Sequence, residues 1–115
     1  MTSTDPDAWQ HHAAQMLMTV IKQRRQITYN QLAIAAGLTG PHRIHRLTDW
    51  LELTMAEDQR CGRPLRAAVV ISKARRGLPA PGFFSSAGEL GISLSVPDPE
   101  TAYRAYLEQL YETLA

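Results

Sequence analysis

The residues in this chain best suited to chemistry are cationic, and they come in groups. Arg43 and Arg46 stand one helical turn apart with His42 and His45 beside them, so a helix would carry all four on one side. Lys73, Arg75 and Arg76 form a second group, and Arg24 and Arg25 a third. Guanidinium forks bind phosphate oxygens or the edge of guanine bidentately. Imidazoles near pH 6 add charge to such a surface. Covalent and metal chemistry have much thinner support. The single cysteine, Cys61, has no neighbouring histidine to activate a thiolate. His42 and His45 could reach one metal ion with Cys61, but no fourth ligand stands at a characteristic spacing, and His11-His12 reads as surface. Asp49, Glu52, Glu57 and Asp58 lack a partnered His or Ser, and Gly77 and Gly82 are spaced for a turn rather than a phosphate cradle. The expectation is a chain with no catalytic site, no metal and no cofactor.

Composition bears on the same question. The 115 residues are one domain's worth, 44% of them apolar, enough for one modest core. The formal net charge is only +1. Along the chain, however, the charge is segregated. Residues 1–21 carry Asp5 and Asp7 with no Lys or Arg, a charge of −2. Residues 22–76 carry eleven Lys and Arg against Asp49, Glu52, Glu57 and Asp58, a charge of +7. Residues 77–115 carry Arg104 against five carboxylates, a charge of −4. Such asymmetry suits a face with an anionic partner. One cysteine precludes an intrachain disulfide and fits a reducing cytoplasm. No apolar run approaches a membrane span, and Met1–Asp7 lacks the features of a secretory signal.

The elements that must hold these groups follow from periodicity. Residues 1–7 read as a disordered tail and 8–115 as a single domain. Trp9, Ala13, Met16, Leu17, Val20 and Ile21 make a helical stripe from Ala8 to about Arg25, closed by Lys22, Arg24 and Arg25. Thr28 with Gln31 is a capping box opening a second, two-turn helix that buries Leu32, Ala35 and Ala36 and stops at Gly37. Pro41 then opens a third helix with the stripe Ile44, Leu47, Leu51 and Met55, and Trp50 alongside. A short helix, a tight turn and a longer helix with a basic start make a helix-turn-helix pattern. Leu65–Ser72 reads as a strand, residues 73–82 as a turn-rich loop, and Phe83-Phe84 as a returning strand or a plug of the core. Strand, basic loop and return together read as a β-hairpin wing. Ser85–Gly91 reads as a short helical turn. Asp98 caps a last amphipathic helix carrying Tyr103, Tyr106, Leu107, Leu110, Tyr111 and Leu114. The predicted class is α+β, a winged helix-turn-helix with flanking N- and C-terminal helices.

Thr28-Tyr29-Asn30-Gln31-Leu32-Ala33, Gly37, Arg43 and Pro64 before the strand resemble the winged-helix DNA-binding domain of alkylguanine DNA alkyltransferases and alkyltransferase-like proteins, over roughly residues 16–84. In that family a tyrosine matching Tyr29 helps rotate a phosphate, and an arginine matching Arg43 replaces a flipped base. The resemblance implies those roles here. It breaks at the chemistry: Leu65 stands where the family has its nucleophilic cysteine, and Arg66 where it has the following histidine. Alkyltransferase-like proteins also lack the cysteine and bind damaged DNA through the retained scaffold. The strand, turn and Pro-Gly-Phe-Phe segment also resembles small uncharacterised bacterial and phage proteins.

The sequence therefore predicts a non-enzymatic protein that binds double-stranded DNA, a regulator or a sensor of DNA structure. Helix three would supply Arg43 and Arg46, assisted by His42 and His45. The wing would supply Lys73, Arg75 and Arg76, with Arg24 and Arg25 adding phosphate contacts. Tyr29 is either a DNA contact or an aromatic at the edge of the core. A homodimer through the Tyr-rich last helix is a further expectation. The alternative is a protein–protein interaction module whose basic face meets an acidic protein, since the Asp49, Glu52, Glu57, Asp58 stretch would repel DNA.

Overall fold

In the computed structural model, residues 7–94 and 98–115 are described. The expected tail lies outside them except for Asp7. Helix α1 (Ala8–Lys22) buries Trp9, Ala13, Leu17, Val20 and Ile21 along the predicted stripe. A two-residue strand β1 (Ile27–Thr28) leads directly into α2 (Tyr29–Ala36). There the capping box is formed in both directions, and Gly37, at φ 76°, ends the helix. Ala33 is buried beside Leu32 and Ala36, while Ala35 faces out. Helix α3 (Arg43–Arg60) buries Leu47, Trp50, Leu51 and Met55. It starts two residues after Pro41, because His42 adopts left-handed backbone (φ 62°) and breaks the first turn. Ile44, predicted to face inward, is 38% exposed.

The largest departures lie after α3. The predicted strand over Leu65–Ser72 is a 3-10 turn (Arg66–Val69) followed by a two-residue strand β2 (Val70–Ile71). The segment is buried as a strand would be, but side chains take the backbone groups that a ladder needs. Asp58 accepts the Arg66 N–H at 3.0 Å, Tyr106 Oη accepts the Leu65 N–H at 2.8 Å, and Tyr103 donates its hydroxyl to the Ala68 carbonyl at 2.6 Å. What remains pairs in parallel with β1, Ile27 opposite Val70 and Thr28 opposite Ile71. The expected hairpin is absent among the described residues. Phe83 and Phe84 belong to helix α4 (Pro81–Glu89), which starts on a proline at its first position and also takes in most of the predicted Ser85–Gly91 turn. Both phenylalanines meet Tyr103 edge-on, at 6.4 and 6.2 Å between ring centroids.

Helix α5 (Pro99–Leu114) starts as read, with Asp98 accepting the Thr101 N–H at 2.9 Å. Its tyrosines turn inward: Tyr103 and Tyr106 hold the 3-10 turn, and Tyr111 donates to the Arg25 carbonyl. The architecture is a small, mainly helical α+β domain whose one two-stranded parallel sheet joins the start of α2 to the segment before Lys73. Among the described residues, no helix is long and apolar enough to cross a membrane.

Candidate nucleic-acid interface

The capping box fixes the first turn of α2, with Thr28 Oγ1 accepting the Gln31 N–H at 3.1 Å and Gln31 Oε1 accepting the Thr28 N–H at 3.0 Å. That turn presents Asn30, whose Oδ1 accepts a hydrogen bond from Arg43 Nη2 at 2.8 Å. The N-terminal ends of α2 and α3 are thereby tied together by exposed polar groups. One turn along α3, the Arg46 guanidinium lies 5.9 Å from the centroid of Trp9. Trp9 in turn meets Trp50 edge-on at 5.7 Å. His45 Nε2 stands 3.4 Å from Asp49 Oδ2, with both groups open to solvent. His42, Arg43, His45 and Arg46 are all exposed.

An open groove of about 570 Å³ runs beside this edge, lined by Thr28 of β1, Asn30 and Gln31 of α2, Ile44 of α3, Ile71 of β2 and Lys73. Parallel pairing brings Lys73 here, because β2 leaves the sheet at the same end from which α2 departs. Lys73 opens a short 3-10 turn (Lys73–Arg75) and is exposed, as is Arg76. Arg75 is not available in the same way. Its Nη1 donates to the Pro79 carbonyl at 2.6 Å, and its guanidinium lies 5.8 Å from the Phe84 ring centroid. Gln26 donates from Nε2 to the Gly77 carbonyl at 3.0 Å, which ties the segment that follows the exposed Arg24 and Arg25 to the end of the Lys73–Gly77 loop. Three groups far apart in sequence are thus linked, α3 to α2 through Arg43–Asn30, α2 to Lys73 across the groove, and that loop to Arg24 and Arg25 through Gln26.

Tyr29 sits at this junction but points inward. Its Oη accepts the Ala80 N–H at 3.0 Å, and burial raises its pKa above the usual phenol value. It helps line a small, partly open and mainly apolar pocket of about 30 Å³, with Leu51, Met55, Ala67, Ala80 and Phe83 and with Thr48 and Glu52 at its polar part. That volume is room for about one water molecule.

Two features escaped the sequence. Asn30, the partner of Arg43, carries no periodicity signal. Asp58, read from the sequence as part of the acidic stretch that would repel DNA, is fully buried and takes both Arg63 and Arg66. Asp58 and Glu57, whose Oε1 lies 3.4 Å from Arg63 Nη2, together offset these two charges inside the +7 block, and Asp58 holds the Arg63 guanidinium pKa above its ordinary value. The exposed carboxylates Asp49, Glu52 and Glu57 flank Leu53, itself 68% exposed, on the outer face of α3. Cys61 is exposed and follows the last turn of α3. No group of three His, Cys, Asp or Glu side chains able to hold a metal occurs among the described residues. The chain matches no protein-family model, no curated protein and no solved structure.

Proposed function

We propose that this chain binds double-stranded DNA without catalysing a reaction, as a regulator or a sensor of DNA structure. The single observation that carries this reading is the tie between Arg43 and Asn30 beside a groove that Asn30 and Lys73 both line. In this reading α2, its turn and α3 act as a helix-turn-helix. The loop after β2 takes the place of a wing in a winged-helix-like arrangement that lacks a hairpin. Arg43, Arg46, Lys73, Arg76, Arg24 and Arg25 contact phosphates, with His42 and His45 adding hydrogen bonds. Arg75 shapes the loop through Pro79 and Phe84 rather than reaching out. Tyr29 acts by fixing the junction of α2 with the Ala80 backbone. Leu65 is fully buried, which fits the absence of a nucleophile there.

A protein partner is the second reading, and one observation favours it. Leu53 stands exposed between Asp49, Glu52 and Glu57 on the half of α3 away from the basic end. Gel shifts on a random-sequence duplex separate the two readings: the first expects a complex at about 50 mM salt that weakens steeply as salt rises, and the second expects none.

A further inference from the structure

Helices α1 to α4 all end in the same way. The cap at α2, or the residue past it at the other three, adopts left-handed backbone, its N–H bonds back three residues, and the next N–H bonds back five. At α2 the pair is Gly37 to Ile34 and Leu38 to Ala33, both 3.0 Å. At α3 it is Gly62 to Gln59 at 3.2 Å and Arg63 to Asp58 at 3.0 Å. At α4 it is Gly91 to Gly88 at 3.0 Å and Ile92 to Ala87 at 2.9 Å. At α1 it is Arg24 to Ile21 at 2.9 Å and Arg25 to Val20 at 3.0 Å. Three of the four ends place glycine at the left-handed position, the residue that adopts it without a Cβ clash. The fourth places Arg24, at φ 53°.

Two more non-glycine residues have left-handed backbone among the described residues, His42 at φ 62° and Arg76 at φ 53°. His42 is doubly unfavourable. It is the N-cap of α3 yet its side chain caps no backbone N–H, where Asn, Ser or Asp would. All three are exposed, so no burial of their side chains offsets the strain. All three are basic, although Lys, Arg and His together make up only about a seventh of the chain. All three stand on the linked cationic segments, Arg24 two residues before Gln26, which bonds the Lys73–Gly77 loop, Arg76 within that loop, and His42 next to Arg43. Left-handed backbone at a residue with a Cβ costs stability, and such positions cluster at functional sites.

We infer that Arg24, His42 and Arg76 are anion-contacting residues of the DNA-binding surface, held on strained backbone at the expense of fold stability. The inference rests on the proposed DNA-binding function and deepens it by naming which side chains the strain is kept for.

The test compares the full chain with two triple variants, R24G/H42G/R76G and R24Q/H42Q/R76Q, by thermal melting and by salt-dependent binding to a random-sequence 20-base-pair duplex. The glycine variant relieves strain and removes the contacts, and the glutamine variant removes charge while keeping the Cβ. The glycine variant is expected to melt about 2–4 °C higher per site, and the glutamine variant no higher than wild type. Both are expected to bind at least tenfold more weakly, with the slope of log affinity against log salt shallower by about 2, one phosphate for each arginine. Unchanged affinity and slope in both variants, with a wild type that binds, would overturn the inference and leave the DNA-binding reading standing. So would a glycine variant that melts at or below wild type. A wild type that does not bind the duplex at all would remove the DNA-binding reading and this inference with it.

Discussion

Arg43 Nη2 donates to Asn30 Oδ1 across 2.8 Å, joining the first turns of α2 and α3. A free arginine on a helix surface samples many rotamers, and ordering it for a ligand costs entropy. Asn30 meets part of that cost before any ligand arrives. Asn30→Ala is expected to leave stability within about 0.5 kcal/mol, since the site is exposed. Duplex affinity should fall about threefold to tenfold with an unchanged salt slope, because no charge is lost. Arg43→Ala should lower both affinity and slope, and titrations at several salt concentrations distinguish the two effects.

The capping box supports this geometry from below. Thr28→Ala removes the acceptor for the Gln31 N–H and is expected to cost about 1 kcal/mol of stability in denaturant melts. It should also weaken duplex binding, because Asn30 then stands on a frayed turn.

Asp58 is the structural counterweight to the basic block. Its buried carboxylate receives Arg66 at 3.0 Å, receives Arg63, and accepts the Arg66 backbone N–H at 3.0 Å. Asp58→Ala strands the Arg66 guanidinium and its backbone donor, while Arg63 keeps Glu57, and is expected to cost about 3 kcal/mol, read from urea unfolding. A loss below about 1 kcal/mol would show that water reaches these groups readily.

These contacts also explain which parts of the fold were legible in the sequence. Local signals held. The α1 stripe, the Thr28–Gln31 capping box, the Gly37 stop and the Asp98-Pro99 start each depend on residues within a few positions of one another. The segment from Leu65 to Ser72 shows where such signals end. Its β-branched, buried pattern fits a strand, but Asp58, Tyr103 and Tyr106 occupy its backbone groups from other elements. No local pattern encodes those contacts. Phe83-Phe84 reads as an aromatic return to a hairpin, yet Pro81 starts a helix there and the rings serve Tyr103 instead. The basic residues of the candidate site were legible by type, and their connection was not. It depends on the parallel pairing of β1 with β2 and on the Gln26–Gly77 hydrogen bond, each spanning more than forty residues.

Alkaline pH probes the packing of α5. All four tyrosines, Tyr29, Tyr103, Tyr106 and Tyr111, have raised pKa values, in each case chiefly because burial disfavours the phenolate. The folded chain therefore keeps these protons to higher pH than the unfolded chain. Their contribution is fully present below the unfolded value near 10 and is lost as pH rises through the folded values. Stability should fall above about pH 10, by up to about 1.4 kcal/mol per pH unit for each tyrosine that stays protonated in the fold. Tyrosinate absorbance should rise together with loss of helical circular dichroism. Tyrosine ionisation near pH 10 with the helices intact would contradict the buried hydroxyl contacts.

Binding of duplex DNA by the linked cationic segments is read out by its salt dependence. Wild type and Arg43→Ala/Arg46→Ala are titrated with a random-sequence duplex from about 50 mM salt upward. Wild type is expected to bind with a slope of log affinity against log salt of about −4 to −5, for about five phosphates engaged, and the double variant to bind more weakly with a slope shallower by about 2. No binding by wild type at about 50 mM salt, or equal binding by the double variant, would contradict the account.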